Sequence, residues 1–387
     1  MHIFDRQPQI LADLVAIDSV NPVADPAHAG ERALAEHLAS LCRSIGLEVE
    51  LHEVQPGRPN LLAHLRVPGA HQHLLFVGHT DTVPPGDMPQ PFVPRVADGR
   101  LTGRGACDDK GPLVAALAAM EQLVARRHEL SLHVTFAALI DEESMSAGAH
   151  ALAAQQLPAA GAIVLEGTDL QPVIAHRGSA RLRLHVLGSA AHSAQPARGL
   201  NAIVQAAGAI QHLETVYAPQ LAQRSHPLAG SPTLAVTRIQ GGVSGNVIPP
   251  RCSFTLNRRF LPGETRTSLL AELEETLAVL RTTQPDLRLD PFEVEDWDEA
   301  LDTPVGSPLV WAACQAAQTI LGKATPVGAP WCSDAPILAR TGIPTIVLGP
   351  GSVATEGHTR HESIPLDELM LGARLYTELV LAFSNQR

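Results

Sequence analysis

The chain has 387 residues, too many for one compact core, and its length suggests two domains. Its apolar fraction of 45% is ordinary for a soluble globular protein, while aromatics make up only 3%, which argues against a base-stacking nucleic-acid surface. A formal charge of −12 argues against polyanionic partners, because phosphate binding needs a basic patch.

No apolar run reaches the roughly 18 residues that a membrane helix needs, and the first residues lack the basic-then-apolar layout of a signal peptide. Five scattered cysteines without paired spacing fit a reducing compartment. A cytoplasmic protein without membrane or nucleic-acid partners is the expectation.

In chain order, residues 30–45 place Leu34, Leu38, Leu41 and Ile45 on one helical face, with Gly46 as a stop signal. The run Leu74-Leu-Phe-Val-Gly78 predicts a short strand buried on both faces. A helix follows with Leu113, Leu117, Met120 and Val124 in register, and Pro112 suits its first turn. Leu132 to Ile140 predicts a strand, and Ala162 to Leu165 another. This alternation predicts an α/β layer fold with a largely parallel sheet.

The pattern changes near residue 178, where Arg181-Leu-Arg-Leu-His-Val186 alternates polar and apolar as in a sheet with one wet face. A helix over about 197–216 follows, then strands near 232–240 and 251–258, a helix near 264–281 and a strand near 286–292. That order, βαββαβ, is ferredoxin-like. From about 294 the chain returns to helix, then Pro344-Thr-Ile-Val-Leu-Gly349 as a buried strand, then a last helix. The expected fold class is therefore α/β: a mixed, largely parallel sheet domain (residues 1–176 and 294–387) with an inserted ferredoxin-like α+β domain (177–293).

Chemistry-bearing residues gather where these strands end. His79-Thr-Asp81, Cys107-Asp108-Asp109-Lys110-Gly111, Asp141-Glu142-Glu143 and Glu166 each sit at a strand or helix end, and His358 lies in a Gly-rich loop. Ligands of open α/β sheets bind beyond the carboxyl ends of the strands, so residues remote in sequence can converge there. Asp108 precedes the Pro112 helix, whose N-terminal dipole favours a carboxylate. Singly, each segment has an ordinary explanation as a solvated turn or a charged helix start. Together they supply two imidazoles and several carboxylates, enough for two divalent metals sharing one carboxylate. Such ligands without thiolate suit catalytic zinc, and also cobalt or manganese. The constellation points to a metal-dependent hydrolase.

These segments resemble the M20 metallopeptidase and deacylase family. Gly78-His-Thr-Asp-Thr-Val83 is similar to its first metal motif, Gly103-Arg-Gly-Ala-Cys-Asp-Asp-Lys-Gly111 to its second and Asp141-Glu-Glu143 to its third. The resemblance extends to Gly188-Ser-Ala-Ala-His-Ser193, Asn246-Val-Ile-Pro249, Arg259-Phe-Leu-Pro-Gly263 and Gly357-His-Thr-Arg-His-Glu362. It implies amide hydrolysis of an N-acyl-amino acid or small peptide with a free carboxylate, in a deacylase or a dipeptidase or carboxypeptidase.

By position, the resemblance makes Asp108 the carboxylate bridging two metals, with His79 and Glu166 completing one ligand set and Glu143 and His358 the other. Glu142 is implied as general base and Asp81 as the group orienting His79. His192 is implied to stabilise the oxyanion, often across a dimer interface, while Arg259 binds a substrate carboxylate and Asn246 the substrate's polar backbone. A homodimer through the inserted domain, a lid closing over the larger one, is likewise implied. His176 and His185 are expected to be structural, and Cys107 a small packing residue. Asn257 stands where many relatives carry Asp in a D-x-R pattern, and Trp331-Cys-Ser-Asp334 replaces a glycine-rich run.

Overall fold

The computed structural model describes residues 2–323 and 325–386. The chain divides into two compact units. The larger is built from the chain up to Ile174, from Thr303–Val327 and from Ser333 onward, and the smaller from Ala175–Asp302 and Gly328–Cys332.

The larger unit is organised by one sheet. Its strands run in the order Glu48–Gln55, Arg58–Leu65, His133–Leu139, His73–His79, Ala159–Val164, Thr345–Val347 and the start of Val173–His176, whose last two residues belong to the smaller unit. The four from His133–Leu139 to Thr345–Val347 are mutually parallel, and antiparallel neighbours flank them on both sides. Every residue of His73–His79 is buried, as a strand covered on both faces requires. Helix Lys110–Ala125 packs on this strand and on the helix Leu366–Ser384, and the latter also packs on Pro308–Leu321. Four alanines of the first helix (Ala115, Ala116, Ala118 and Ala119) are fully buried, which lets it lie close to its neighbours. Pro112 falls in its first turn, where a missing N–H costs no helical hydrogen bond.

Because the central strands are parallel, their carboxyl ends share one edge of the sheet. His79 is the last residue of its strand, Asp141 lies two residues beyond His133–Leu139, and Glu166 two beyond Ala159–Val164. The loop after Thr345–Val347 leads to His358.

The smaller unit is an antiparallel sheet with helices Ala202–His212, Ala218–Leu221 and Arg266–Thr283. Its order is Thr233–Gly241, Arg251–Phe260, Gly178–Leu187, and the last strand also pairs with Arg288–Leu289 and Glu293–Asp298. Its core joins Leu182, Leu184 and Val186 to Phe254 and Leu256 and to Leu269, Leu273 and Leu277 from helix Arg266–Thr283. Two elements differ from the sequence expectation. The helix expected over 197–216 begins at Ala202, capped by Asn201, whose side chain accepts from the N–H of Ile203 and Val204. Before it, Gly188 lies so close to Leu200 that a Cβ would sit 2.1 Å from the Leu200 carbonyl oxygen, so the chain is pinned as a loop. The strand expected near 286–292 is only Arg288–Leu289, because Pro291 offers no N–H to the ladder; pairing resumes at Glu293–Asp298.

Candidate metal centre

Six of the marked residues gather into two groups. His79, Glu142 and Glu166 form one, and Asp108, Glu143 and His358 the other, with ligand atoms within 4.8 Å of one another in each group. Asp108 reaches both: its Oδ1 lies 2.9 Å from His79 Nε2 and its Oδ2 lies 3.2 Å from His358 Nε2. His79 Nε2 is also 3.8 Å from Glu166 Oε1, and His358 Nε2 is 3.1 Å from Glu143 Oε1.

The surrounding backbone fixes these groups. His79 Nδ1 lies 3.0 Å from the Asp81 carbonyl oxygen and 3.5 Å from its carboxylate. The Asp81 carboxylate accepts the backbone N–H groups of Glu142 and Glu143 at 3.1 and 3.0 Å, so it holds the acidic pair as well as the imidazole. The peptide between Asp108 and Asp109 is cis. Asp109 turns inward and accepts the His79 N–H at 3.0 Å. That contact requires Gly78, where a Cβ would lie 2.3 Å from Asp109 Oδ2. Glu362 is buried and accepts the N–H groups of Gly105, Cys107 and Asp108, and Arg104 donates to it at 2.6 Å.

Burial and mutual charge set the protonation of these groups. Burial, with the nearby Asp334, Glu143 and Asp108 charges, pushes Glu142 well above the usual carboxylate range. Burial and the Asp108 charge do the same to Glu166. Burial would raise Asp108 too, but the hydrogen bonds with His358 and His79 outweigh it and hold its carboxyl below the ordinary range. Hydrogen bonds to Asp108 and Glu143 push His358 up to about 11. Four carboxylates and two imidazoles gathered this closely form an oxygen and nitrogen donor set that fits two divalent cations. The Cys107 thiol beside it is buried and pushed well above its usual value by desolvation, in keeping with a packing role.

His192, Asn246 and Arg259 belong to the smaller unit. Ser193 N–H donates to the Asn246 carbonyl at 2.9 Å, and His192 pairs with Val247, so His192 and Asn246 occupy adjacent backbone segments. Arg259 Nη1 donates to Cys332 Sγ at 3.2 Å, and that sulfur lies 3.8 Å from Asp298 Oδ2. Burial pushes the Asp298 carboxyl up to about 6. His176 is fully buried, its Nδ1 2.9 Å from the Arg177 carbonyl oxygen, and His185 approaches Glu293.

Sequence reasoning missed Asn21, whose buried side chain donates to Asp81 and Asp141, Arg58 and Glu31, which pair with each other beside Asp141, and the clamping role of Glu362. Asn21-Pro22 carries only the signal of a turn, and nothing local marks a buried amide.

The sequence profile of peptidase family M20/M25/M40 matches residues 75–382. Among solved structures, the chain is similar to aminopeptidase PepT from Bacillus cereus, at 24% identity and a TM-score of 0.79 over 98% of each chain. A tripeptidase from Staphylococcus aureus matches at 23% identity and a TM-score of 0.80 over 99% of each chain. A dinuclear metal binding peptidase of the M20 family from Bacillus subtilis matches at 16% identity and a TM-score of 0.75, over 100% of this chain and 99% of that one.

Proposed function

The chain belongs to peptidase family M20/M25/M40, and we propose that it is a dinuclear-metal amide hydrolase acting on an N-acyl-amino acid or short peptide with a free carboxylate. In this reading two ions would be held by these residues, one by His79 and Glu166 and the other by Glu143 and His358, with Asp108 serving both. The observation that carries it is the approach of the two Asp108 oxygens to two different imidazoles, each within its own acidic group. Zinc is the expected metal, with cobalt or manganese as substitutes.

Two such ions supply Lewis acidity toward a carbonyl and lower the pKa of a water molecule. Glu142 accepts that water's proton and returns it to the leaving nitrogen, while Asp81 holds the Glu142–Glu143 backbone and His79 in place. His192 donates to the developing oxyanion, Asn246 binds substrate backbone and Arg259 binds the substrate carboxylate. Cys42, Cys107, Cys252, Cys314 and Cys332 form no disulfide, which suits a cytoplasmic setting. Among the described residues no helix is long and apolar enough to cross a membrane.

We also propose a homodimer formed through the smaller unit. Strand Thr233–Gly241 is an edge strand, and Ile239 on it is 52% exposed. In the same unit Val243 is 74% and Val204 is 61% exposed. An open edge with apolar neighbours is a ready pairing surface. A monomer by light scattering at working concentration would remove this part of the reading.

The test of activity is hydrolysis by metal-reconstituted protein across N-acetyl, N-succinyl, dipeptide and tripeptide substrates. Selective turnover lost on chelation supports the reading and chooses between deacylase and peptidase. Inactivity on the whole panel with two ions bound would overturn it in favour of a non-catalytic binding protein. Peptides come first in the panel, because full-length likeness in fold extends to a tripeptidase.

A further inference from the structure

Behind the Glu142–Glu143 pair runs a chain of buried polar groups that none of these roles uses. Asn21 is fully buried, and its side-chain nitrogen donates to two different carboxylates, Asp81 Oδ2 at 2.7 Å and Asp141 Oδ1 at 3.0 Å. The other end of the amide is occupied, since Asn21 Oδ1 accepts the Val23 N–H at 2.9 Å. Its backbone N–H donates to the Thr82 carbonyl at 2.9 Å, so the residue is tied to the chain just beyond Asp81. Asp141 Oδ1 also accepts from Arg58 Nη2 at 3.0 Å. The same guanidinium holds Glu31 through two hydrogen bonds, at 2.7 and 2.5 Å, and donates to Gln55 at 2.6 Å.

Asp81 and Asp141 grip the two sides of one turn. Asp81 accepts the N–H groups of Glu142 and Glu143. Asp141 has a positive φ of 72°, and its carbonyl accepts the N–H groups of Met145 and Ser146 at 3.2 and 2.6 Å. The two glutamates that the turn carries are adjacent in sequence yet belong to different groups, Glu142 with His79 and Glu166, Glu143 with Asp108 and His358. The tilt of that turn therefore sets both side chains at once. Two carboxylates drawn this close repel unless a donor lies between them, and a neutral amide supplies two N–H groups without adding charge.

We propose that Asn21 is a positioning residue for the Glu142–Glu143 pair, acting through Asp81 and Asp141, with Arg58 as the counter-charge to Asp141. The inference rests on the reading of Glu142 as base and Glu143 as metal ligand.

The experiment compares wild type with Asn21→Ala and with Asn21→Ser, which keeps a smaller donor. Each protein is loaded with Co²⁺ alone and its visible absorption spectrum, ion stoichiometry, melting temperature, kcat and KM are recorded. The expected result is folded protein with two ions, a changed Co²⁺ spectrum, and kcat lowered about 10–100-fold with little change in KM. Asn21→Ser should fall between Asn21→Ala and wild type. Folded variants with the wild-type spectrum and kcat would overturn the proposal. Loss of the fold in both variants would overturn it too, because a positioning role leaves folded, metal-loaded protein. Glu142→Gln and Glu143→Gln run in parallel separate the two levels. If Glu142→Gln keeps full activity or Glu143→Gln keeps the wild-type spectrum, the underlying reading fails; if both behave as assigned and the Asn21 variants do not, only this inference fails.

Discussion

Glu362 accepts the backbone N–H of Asp108 at 3.1 Å, across 254 residues of sequence. The same carboxylate takes the N–H groups of Cys107 and Gly105 and the guanidinium of Arg104, so one buried side chain sets the conformation of the loop that presents the central aspartate.

Glu362→Gln replaces one acceptor oxygen with a donor, which in either amide orientation faces two N–H donors (Gly105 and Arg104, or Cys107 and Asp108), and leaves a buried guanidinium without its counter-charge. Removing one partner of a buried ion pair costs about 3–5 kcal/mol. The expected outcome is a large fall in the urea midpoint and weaker retention of metal on dialysis. A variant as stable as wild type would show that Glu362 is not a structural anchor.

Glu142→Gln removes the proposed base while keeping the side chain's shape. Turnover should fall by about 10²–10⁴-fold, while metal analysis still finds two ions per chain. Full turnover with both ions bound would remove Glu142 from the mechanism.

Gly78→Ala places a methyl carbon 2.3 Å from Asp109 Oδ2 and 2.8 Å from Leu113 Cδ2, in a buried strand. Overpacking of this kind costs about 1–3 kcal/mol. Because Asp109 must move, the His79 N–H loses its acceptor, and metal affinity should fall with stability. Calorimetric melting with and without metal measures both effects.

His73 supplies a pH dependence away from the metal centre. Burial, aided by the neighbouring His133 and His64, lowers its pKa from 6.5 to about 4. Its Nδ1 lies 2.8 Å from Thr135 Oγ1, to which His64 Nδ1 also comes within 2.9 Å. The folded pKa is below the unfolded one, so the unfolded chain binds the proton first. The stabilising contribution of neutral His73 is complete above pH 6.5 and is lost as pH falls toward about 4. Urea unfolding at pH 7 and at pH 5 should show a smaller difference for His73→Asn than for wild type. Equal differences would show that His73 titrates alike in both states.

Much of the fold is legible in the residues because its signals are local. A continuous apolar run such as Leu74–Gly78 can satisfy its backbone only inside a covered sheet, and the alternation in Arg181–Val186 only in a sheet with one wet face. Boundaries were less legible. The helix expected from 197 starts at Ala202 because Gly188 and Leu200 come into contact, a tertiary fact.

The sequence by itself determined which residue types stand at the carboxyl ends of the parallel strands, and with them the six side chains that the structure gathers. It could do so because His79, Glu142, Glu143 and Glu166 stand in short motifs at the ends of strands whose direction follows from the fold class, Asp108 stands just before a helix start, and His358 lies in the loop after the last parallel strand. Only the tertiary structure decided what holds them: Asn21 between Asp81 and Asp141, Arg58 between Glu31 and Asp141, and Glu362 under Asp108. Those partners lie 27 to 254 residues apart. Their hydrogen bonds gain strength from burial, which no local pattern records and which only the folded chain creates.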